Sequence, residues 1–115
     1  MSVTIYHNPR CSKSRQTLSL LEENGVKPDI IEYLKTPPSR EALMDILDKL
    51  DLSPRDLMRK GEAEFKDNNL SDPTLSDQQL IDAMLEHPKL IERPIVIANG
   101  KARIGRPPES VLEIV

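Results

Sequence analysis

Apolar and polar positions change their period several times along the chain. Val3-Thr4-Ile5-Tyr6 alternates with a period of two, as a strand does. Residues 12–24, with Leu18, Leu20 and Leu21, read as a helix stopped at Asn24-Gly25, where glycine can supply a left-handed cap. Pro28 then opens a second apolar segment, Asp29-Ile30-Ile31-Glu32-Tyr33-Leu34, which predicts a strand. Strand, helix and strand within about 30 residues make a βαβ unit, with parallel strands and a right-handed crossover.

Thr36-Pro37-Pro38 breaks the pattern, and Ser39 is a fit N-cap for a helix carrying Leu43, Ile46, Leu47 and Leu50 at helical spacing. Ser53-Pro54 starts another helix running through Leu57-Met58-Arg59-Lys60 to Gly61. Residues 62–75 read as irregular or weakly helical, because Asp67-Asn68-Asn69 and Asp72-Pro73 favour turns. Ser76-Asp77-Gln78-Gln79 has the capping-box pattern ahead of Leu80, Ile81, Met84 and Leu85, and that helix ends near His87-Pro88. The period then returns to strand. Ile95-Val96-Ile97-Ala98, the turn Asn99-Gly100, and Lys101–Gly105 predict a hairpin, followed by a short helix over 107–113 with proline at its start.

A βαβ unit followed by a hairpin and a helix around one small sheet is the plan of a thioredoxin-like α/β fold. Here it carries a helical insertion at about 39–88, between the second and third strands. No repeat or linker divides the 115 residues, so one domain spanning 1–115 is expected. In such a fold a proline, often cis, precedes the third strand. Pro94 holds that place, so a cis Arg93-Pro94 bond is expected.

Composition narrows the function classes. A net charge of −3, without a basic tract or aromatic platform, argues against nucleic acid. No apolar run approaches the roughly 20 residues of a membrane span, and the opening residues lack the basic region and apolar run of a signal peptide. One cysteine cannot form an internal disulfide, which fits a reducing compartment. The expectation is a soluble cytoplasmic protein. His7, Cys11 and His87 lack the spacing of metal ligands, so no metal is expected.

That cysteine, Cys11, lies between the first strand and the first helix. A helix N-terminus favours an anion, and Arg10, Lys13 and Arg15 add positive charge, with His7 a further ionisable neighbour. All favour the reactive thiolate over an inert buried thiol. In Cys11-Ser12-Lys13-Ser14 the fourth residue is serine, where thioredoxin and many glutaredoxins have a second cysteine. An adduct on Cys11 therefore needs an outside thiol to resolve it, and glutathione is the abundant one.

Three further arginines suggest a substrate class. Arg59, Arg93 and Arg106 can converge on the thiol in this fold, although any one alone reads as a solvated surface residue. Three guanidiniums around a thiolate suit a tetrahedral oxyanion, since each fork can pair two oxygens. The phosphatase loop, cysteine with arginine six residues on, is absent. Thr17 holds the sixth place, and Arg15 comes four residues after the thiol.

His7-Asn8-Pro9-x-Cys11-x-x-Ser14-Arg15, Tyr33-Leu34 with Pro37-Pro38, Leu57-x-Arg59-Lys60, Leu80-Ile81-x-x-Met84, Arg93-Pro94-Ile95-Val96 and Gly105-Arg106-Pro107 together resemble the ArsC family of glutaredoxin-linked arsenate reductases. The resemblance spans nearly the whole chain. It implies that Cys11 is the nucleophile that attacks arsenic in bound arsenate, and that Arg59, Arg93 and Arg106 bind the oxyanion. It implies that His7 and Ser14 stabilise the thiolate, alongside Arg15. It implies glutathione as co-substrate, glutaredoxin as partner and no tightly bound cofactor. The loop Arg10-Cys11-Ser12-Lys13 is more basic than the Ala-Cys-Gly-Thr form of resistance enzymes. Two alternatives stay open: a glutathione-dependent thiol-disulfide oxidoreductase, and an Spx-like redox regulator. The missing Cys-x-x-Cys weighs against the regulator.

Overall fold

A computed structural model describes residues 2–115. Its contacts divide the chain into two compact units, one formed by the residues up to Thr36 with 93–115, the other by Pro37–Glu92.

The first unit holds the sheet. β1 (Val3–His7), α1 (Ser12–Glu23) and β2 (Asp29–Glu32) are followed, after the second unit, by β3 (Ile95–Ala98), β4 (Lys101–Ile104) and a 3-10 helix, Pro108–Glu113. The four strands lie in the order β2-β1-β3-β4, with β1 parallel to β2 and antiparallel to β3, and β3 antiparallel to β4. The hairpin turn forms as expected, with Asn99 at φ 55° and Gly100 at φ 74°, the left-handed pair that matches strand twist. Its tip is tied to the chain end, where Asn99 Nδ2 donates to the Ile114 carbonyl at 2.7 Å. The core is aliphatic: Val3, Ile5, Leu21, Val96, Ala98, Val111 and Ile114. Ile5, Leu21, Val96 and Val111 are fully buried, each contributing about 1.5–3 kcal/mol relative to exposure.

Two periods meet at the end of β1. Val3, Ile5 and His7 are the buried alternate positions of the strand, while Ser14, Thr17 and Leu21 are the buried stripe of α1. The core-facing side of both elements thus turns from aliphatic to polar toward the Cys11 loop. β2 is shorter than predicted. The chain turns at Glu32, whose carbonyl accepts from the N–H groups of Lys35 and Thr36, so Tyr33-Leu34 lies outside the strand.

The second unit contains α2 (Arg40–Leu50), α3 (Pro54–Leu57), α4 (Ala63–Asp67), α5 (Asp77–Glu86) and a 3-10 turn, Pro88–Leu90. Ser39, Ser53 and Ser76 cap α2, α3 and α5 through their hydroxyls, and Ser76 with Gln79 completes a capping box. Leu43, Ile46, Leu47, Leu57, Leu80, Ile81 and Met84 are buried. α3 ends at Leu57, short of the predicted Gly61. Met58 pairs with Ile91 in an isolated antiparallel bridge, flanked by Arg59 N–H to Leu90 O at 2.7 Å and Glu92 N–H to Leu57 O at 3.0 Å. The stretch read as weakly helical does hold one short helix, α4, with Phe65 buried.

In chain order this is β-α-β, four helices, then β-β and a 3-10 helix: a thioredoxin-like fold with its helical insertion between the second and third strands. Among the described residues no helix is long and apolar enough to cross a membrane.

Candidate active site

Cys11 is the N-cap of α1, with extended backbone at φ −94° and ψ 124°, and it is only 8% exposed. Its position is set by a tight turn. The Asn8 side chain accepts from Arg10 N–H at 3.0 Å, while the Asn8 carbonyl accepts from Cys11 N–H at 3.0 Å. The Cys11 carbonyl then accepts from Arg15 N–H at 3.0 Å, the first bond of the helix. Cys11 therefore stands at the N-terminus of α1, the positive end of the helix dipole, with no capping hydrogen bond from its side chain.

Behind the thiol lies a small polar cluster. Ser14, without solvent exposure, accepts Asn8 N–H at 3.0 Å and shares a 2.7 Å hydrogen bond with His7 Nδ1. Burial holds the His7 pKa below its ordinary value of 6.5; Glu32, its register partner on β2, raises it, and Arg15 adds to the lowering. The net direction is down, so the neutral imidazole prevails near pH 7 and His7 supplies no fixed positive charge. Arg15 is exposed and donates Nη1 to the Pro9 carbonyl at 3.0 Å, fixing its guanidinium across the loop.

On the other side stands Arg106. Its Nη2 lies 3.5 Å from Cys11 Sγ, and its Nε donates to the Arg93 carbonyl at 2.9 Å. Both flanking X-Pro bonds are cis. Arg93-Pro94 is the expected one, and Arg106-Pro107 is a second that sequence reading did not mark. Arg93 is half-buried, with its Nε shielded from solvent. Cys11, His7, Ser14, Arg15, Arg93 and Arg106 thus all belong to the sheet unit. Arg59 belongs to the helical unit, where it pairs with Glu62 at 2.9 Å and with Glu92 at 3.7 Å.

Two residues that position this site carried little signal. Gly105 N–H donates to the Pro94 carbonyl at 2.9 Å, and a β-carbon at Gly105 would lie 2.4 Å from Thr17 Oγ1 and 2.8 Å from Pro94 Cγ. Only glycine fits there, one residue before Arg106. Thr17 Oγ1 donates to the Lys13 carbonyl at 2.8 Å, with the Gly105 carbonyl 3.5 Å away. The one available hint was glycine directly before arginine and proline.

The arrangement brings together a cysteine sulfur, a helix N-terminus and a guanidinium in contact with that sulfur. That combination suits attack on the central atom of an oxyanion, whose charge the guanidinium meets.

A model of the ArsC family matches residues 6–114. Among relatives, the uncharacterized protein YfgD of Escherichia coli (strain K12) is 61% identical over 114 residues, covering 98% of this chain and 96% of that one. An arsenate reductase of Haemophilus influenzae is 52% identical over 116 residues, covering 100% of both chains. Among solved structures, an arsenate reductase from Vibrio cholerae aligns with a TM-score of 0.97 at 59% identity, covering 100% of this chain and 98% of that one.

Proposed function

We propose that this chain, which belongs to the ArsC family, reduces arsenate to arsenite at Cys11 with glutathione and glutaredoxin as thiol donors. The observation that carries this reading is the 3.5 Å contact between Arg106 Nη2 and the sulfur of the sole cysteine.

The Cys11 thiolate attacks arsenic. An As–S bond forms, one As–O bond breaks, and the departing oxygen leaves as water after protonation. Glutathione then bonds through its sulfur to the Cys11 sulfur while the As–S bond breaks. The electron pair of that bond stays on arsenic, which falls from As(V) to As(III), and the thiol proton goes to an arsenic oxygen. Arsenite departs, leaving a Cys11–glutathione disulfide. A glutaredoxin thiolate attacks the glutathione sulfur, carries it off as a mixed disulfide and frees the Cys11 thiolate. Overall, arsenate and two thiols give arsenite, a disulfide and water. Position 14 is serine, so no internal thiol competes with the outside donors.

In this reading Arg106 and Arg93 hold the oxyanion, and the family resemblance assigns Arg59 to the same task. The Arg106 fork stabilises charge on the oxygens during attack. His7, Ser14 and Arg15 set up the thiolate, with His7 neutral and acting through Ser14. The whole chain works as one ArsC-type domain in the reducing cytoplasm, without a tightly bound cofactor.

The test is arsenate-dependent NADPH oxidation with glutathione, glutathione reductase and glutaredoxin present, wild type beside Cys11→Ser. Turnover confined to wild type supports the reading. Turnover persisting in Cys11→Ser would remove Cys11 as nucleophile. An inactive wild type whose Cys11 still takes up glutathione would make the chain a thiol-disulfide oxidoreductase instead.

A further inference from the structure

We infer that the open groove between α1 and the segment Pro107–Glu109 is the docking site for glutathione, a finer assignment that rests on the proposed thiol-dependent function. The groove has a volume of about 880 Å³, far more than a tetrahedral oxyanion fills. Its lining starts at Ser12, next in the chain to Cys11, and runs along α1 to Glu23. The opposite wall begins one residue after Arg106, the side chain that touches Sγ. Both walls therefore begin at the chain neighbours of Cys11 and Arg106, which do not themselves line the groove.

Length and charge agree with that occupant. From Ser12 to Glu23 the helix extends roughly 16 Å at 1.5 Å per residue. An extended tripeptide needs about 10–11 Å. Glutathione carries two carboxylates, one ammonium and one thiol. The groove offers Lys13 and Arg15 near the Cys11 end, and Glu23 and Glu109 farther along its two walls, all exposed. With the thiol toward Cys11, the carboxylates meet the cations and the ammonium meets a carboxylate. Arsenate, a small anion, has no use for the acidic positions.

Docked this way, the glutathione sulfur is aimed at the Cys11 sulfur for the second step above, with arsenic as leaving group and recipient of the electron pair. The reverse entry is equally open. The Cys11 thiolate attacks glutathione disulfide, one S–S bond forms as another breaks, and a glutathione thiolate leaves.

That reverse reaction tests the groove without arsenate. The rate of mixed-disulfide formation at Cys11 is followed by mass spectrometry with glutathione disulfide and, in parallel, with neutral 2-hydroxyethyl disulfide. Wild type is expected to favour glutathione disulfide with saturation. Lys13→Glu is expected to lower that preference, read as the ratio of the two rates, about fivefold or more, with the neutral reagent correcting for any change in thiolate reactivity. Glu109→Lys separates docking from general attraction. Lost ammonium contact lowers the preference, whereas simple attraction of an anionic reagent by added positive charge raises it. Equal preference in all three proteins, or a rise in Glu109→Lys, would overturn the assignment. Absence of arsenate turnover with these preferences intact would instead overturn the reductase reading and leave the groove standing.

Discussion

Arg106 reaches Cys11 because it is held at its other end by Arg93: Nε donates to the Arg93 carbonyl at 2.9 Å while Nη2 stands 3.5 Å from Sγ. The two contacts use different nitrogens of one rigid fork. An ammonium on a flexible stem cannot make both in that geometry. Arg106→Lys is therefore expected to keep the charge yet lower kcat/KM for arsenate about 100-fold, the scale of one lost oxyanion donor. Thermal unfolding should hardly move, because Arg106 is exposed. Coupled arsenate kinetics beside a melting curve check both halves, and full activity in the lysine variant would refute the forked role.

Gly105→Ala is expected to destabilise the fold by about 1–3 kcal/mol, the range for overpacking a filled site. The new β-carbon meets Thr17 Oγ1 at 2.4 Å and Pro94 Cγ at 2.8 Å. Thr17→Ala removes the nearer obstacle. The double variant is therefore expected to be less destabilised than the sum of the singles, with a coupling of at least about 0.5 kcal/mol. Urea denaturation of the four proteins measures it, and strict additivity would exclude the steric account.

Ser14→Ala leaves two groups short of a partner, the part-buried Asn8 N–H and the buried His7 ring. A cost of about 1–3 kcal/mol is expected. Removal of the exposed Ser39 cap, which serves a single N–H of α2, should cost nearer 1 kcal/mol. Denaturation midpoints for the two variants rank them, and the reverse order would contradict the picture of a closed polar cluster.

His7 makes stability depend on pH with a definite sign. Its pKa in the folded chain lies below 6.5, chiefly through burial. Below pH 6.5 the unfolded chain takes up the proton first, so the folded state loses stability as pH falls. The loss ends once the folded-state pKa is passed, and above 6.5 the contribution is fully present. Denaturation of wild type and His7→Gln between about pH 5 and 8 isolates it. The difference between them should change on the acid side of 6.5 and stay flat above. A flat difference throughout would mean that the imidazole is not buried.

Local sequence carried the elements whose causes are local. Alternation gave β1, Asn99-Gly100 gave the hairpin, and Ser39 and the Ser76–Gln79 box marked two helix starts. Cys11 at a helix start and the cis bond before Pro94 followed from the order of elements. What was not legible depends on distant partners. Leu57 ends α3 because Met58 pairs with Ile91, far along the chain. Tyr33-Leu34 continues an apolar run, yet the chain turns there on the Glu32 carbonyl. Arg93-Pro94 and Arg106-Pro107 are the same dipeptide, and only the first stood in a place that drew notice. The tight fit of Gly105 against Thr17 exists only once β4 and α1 have met.

The polar half of the α1 stripe has a mechanical consequence. Aliphatic contacts such as those of Leu21 resist separation but tolerate small sliding and rolling of a helix on its support. Ser14 against His7, and Thr17 close beneath Gly105, constrain direction as well as distance. They act as set screws at the end of the helix that carries the sulfur. The aim of Sγ toward Arg106 is thus held to the tolerance of a hydrogen bond.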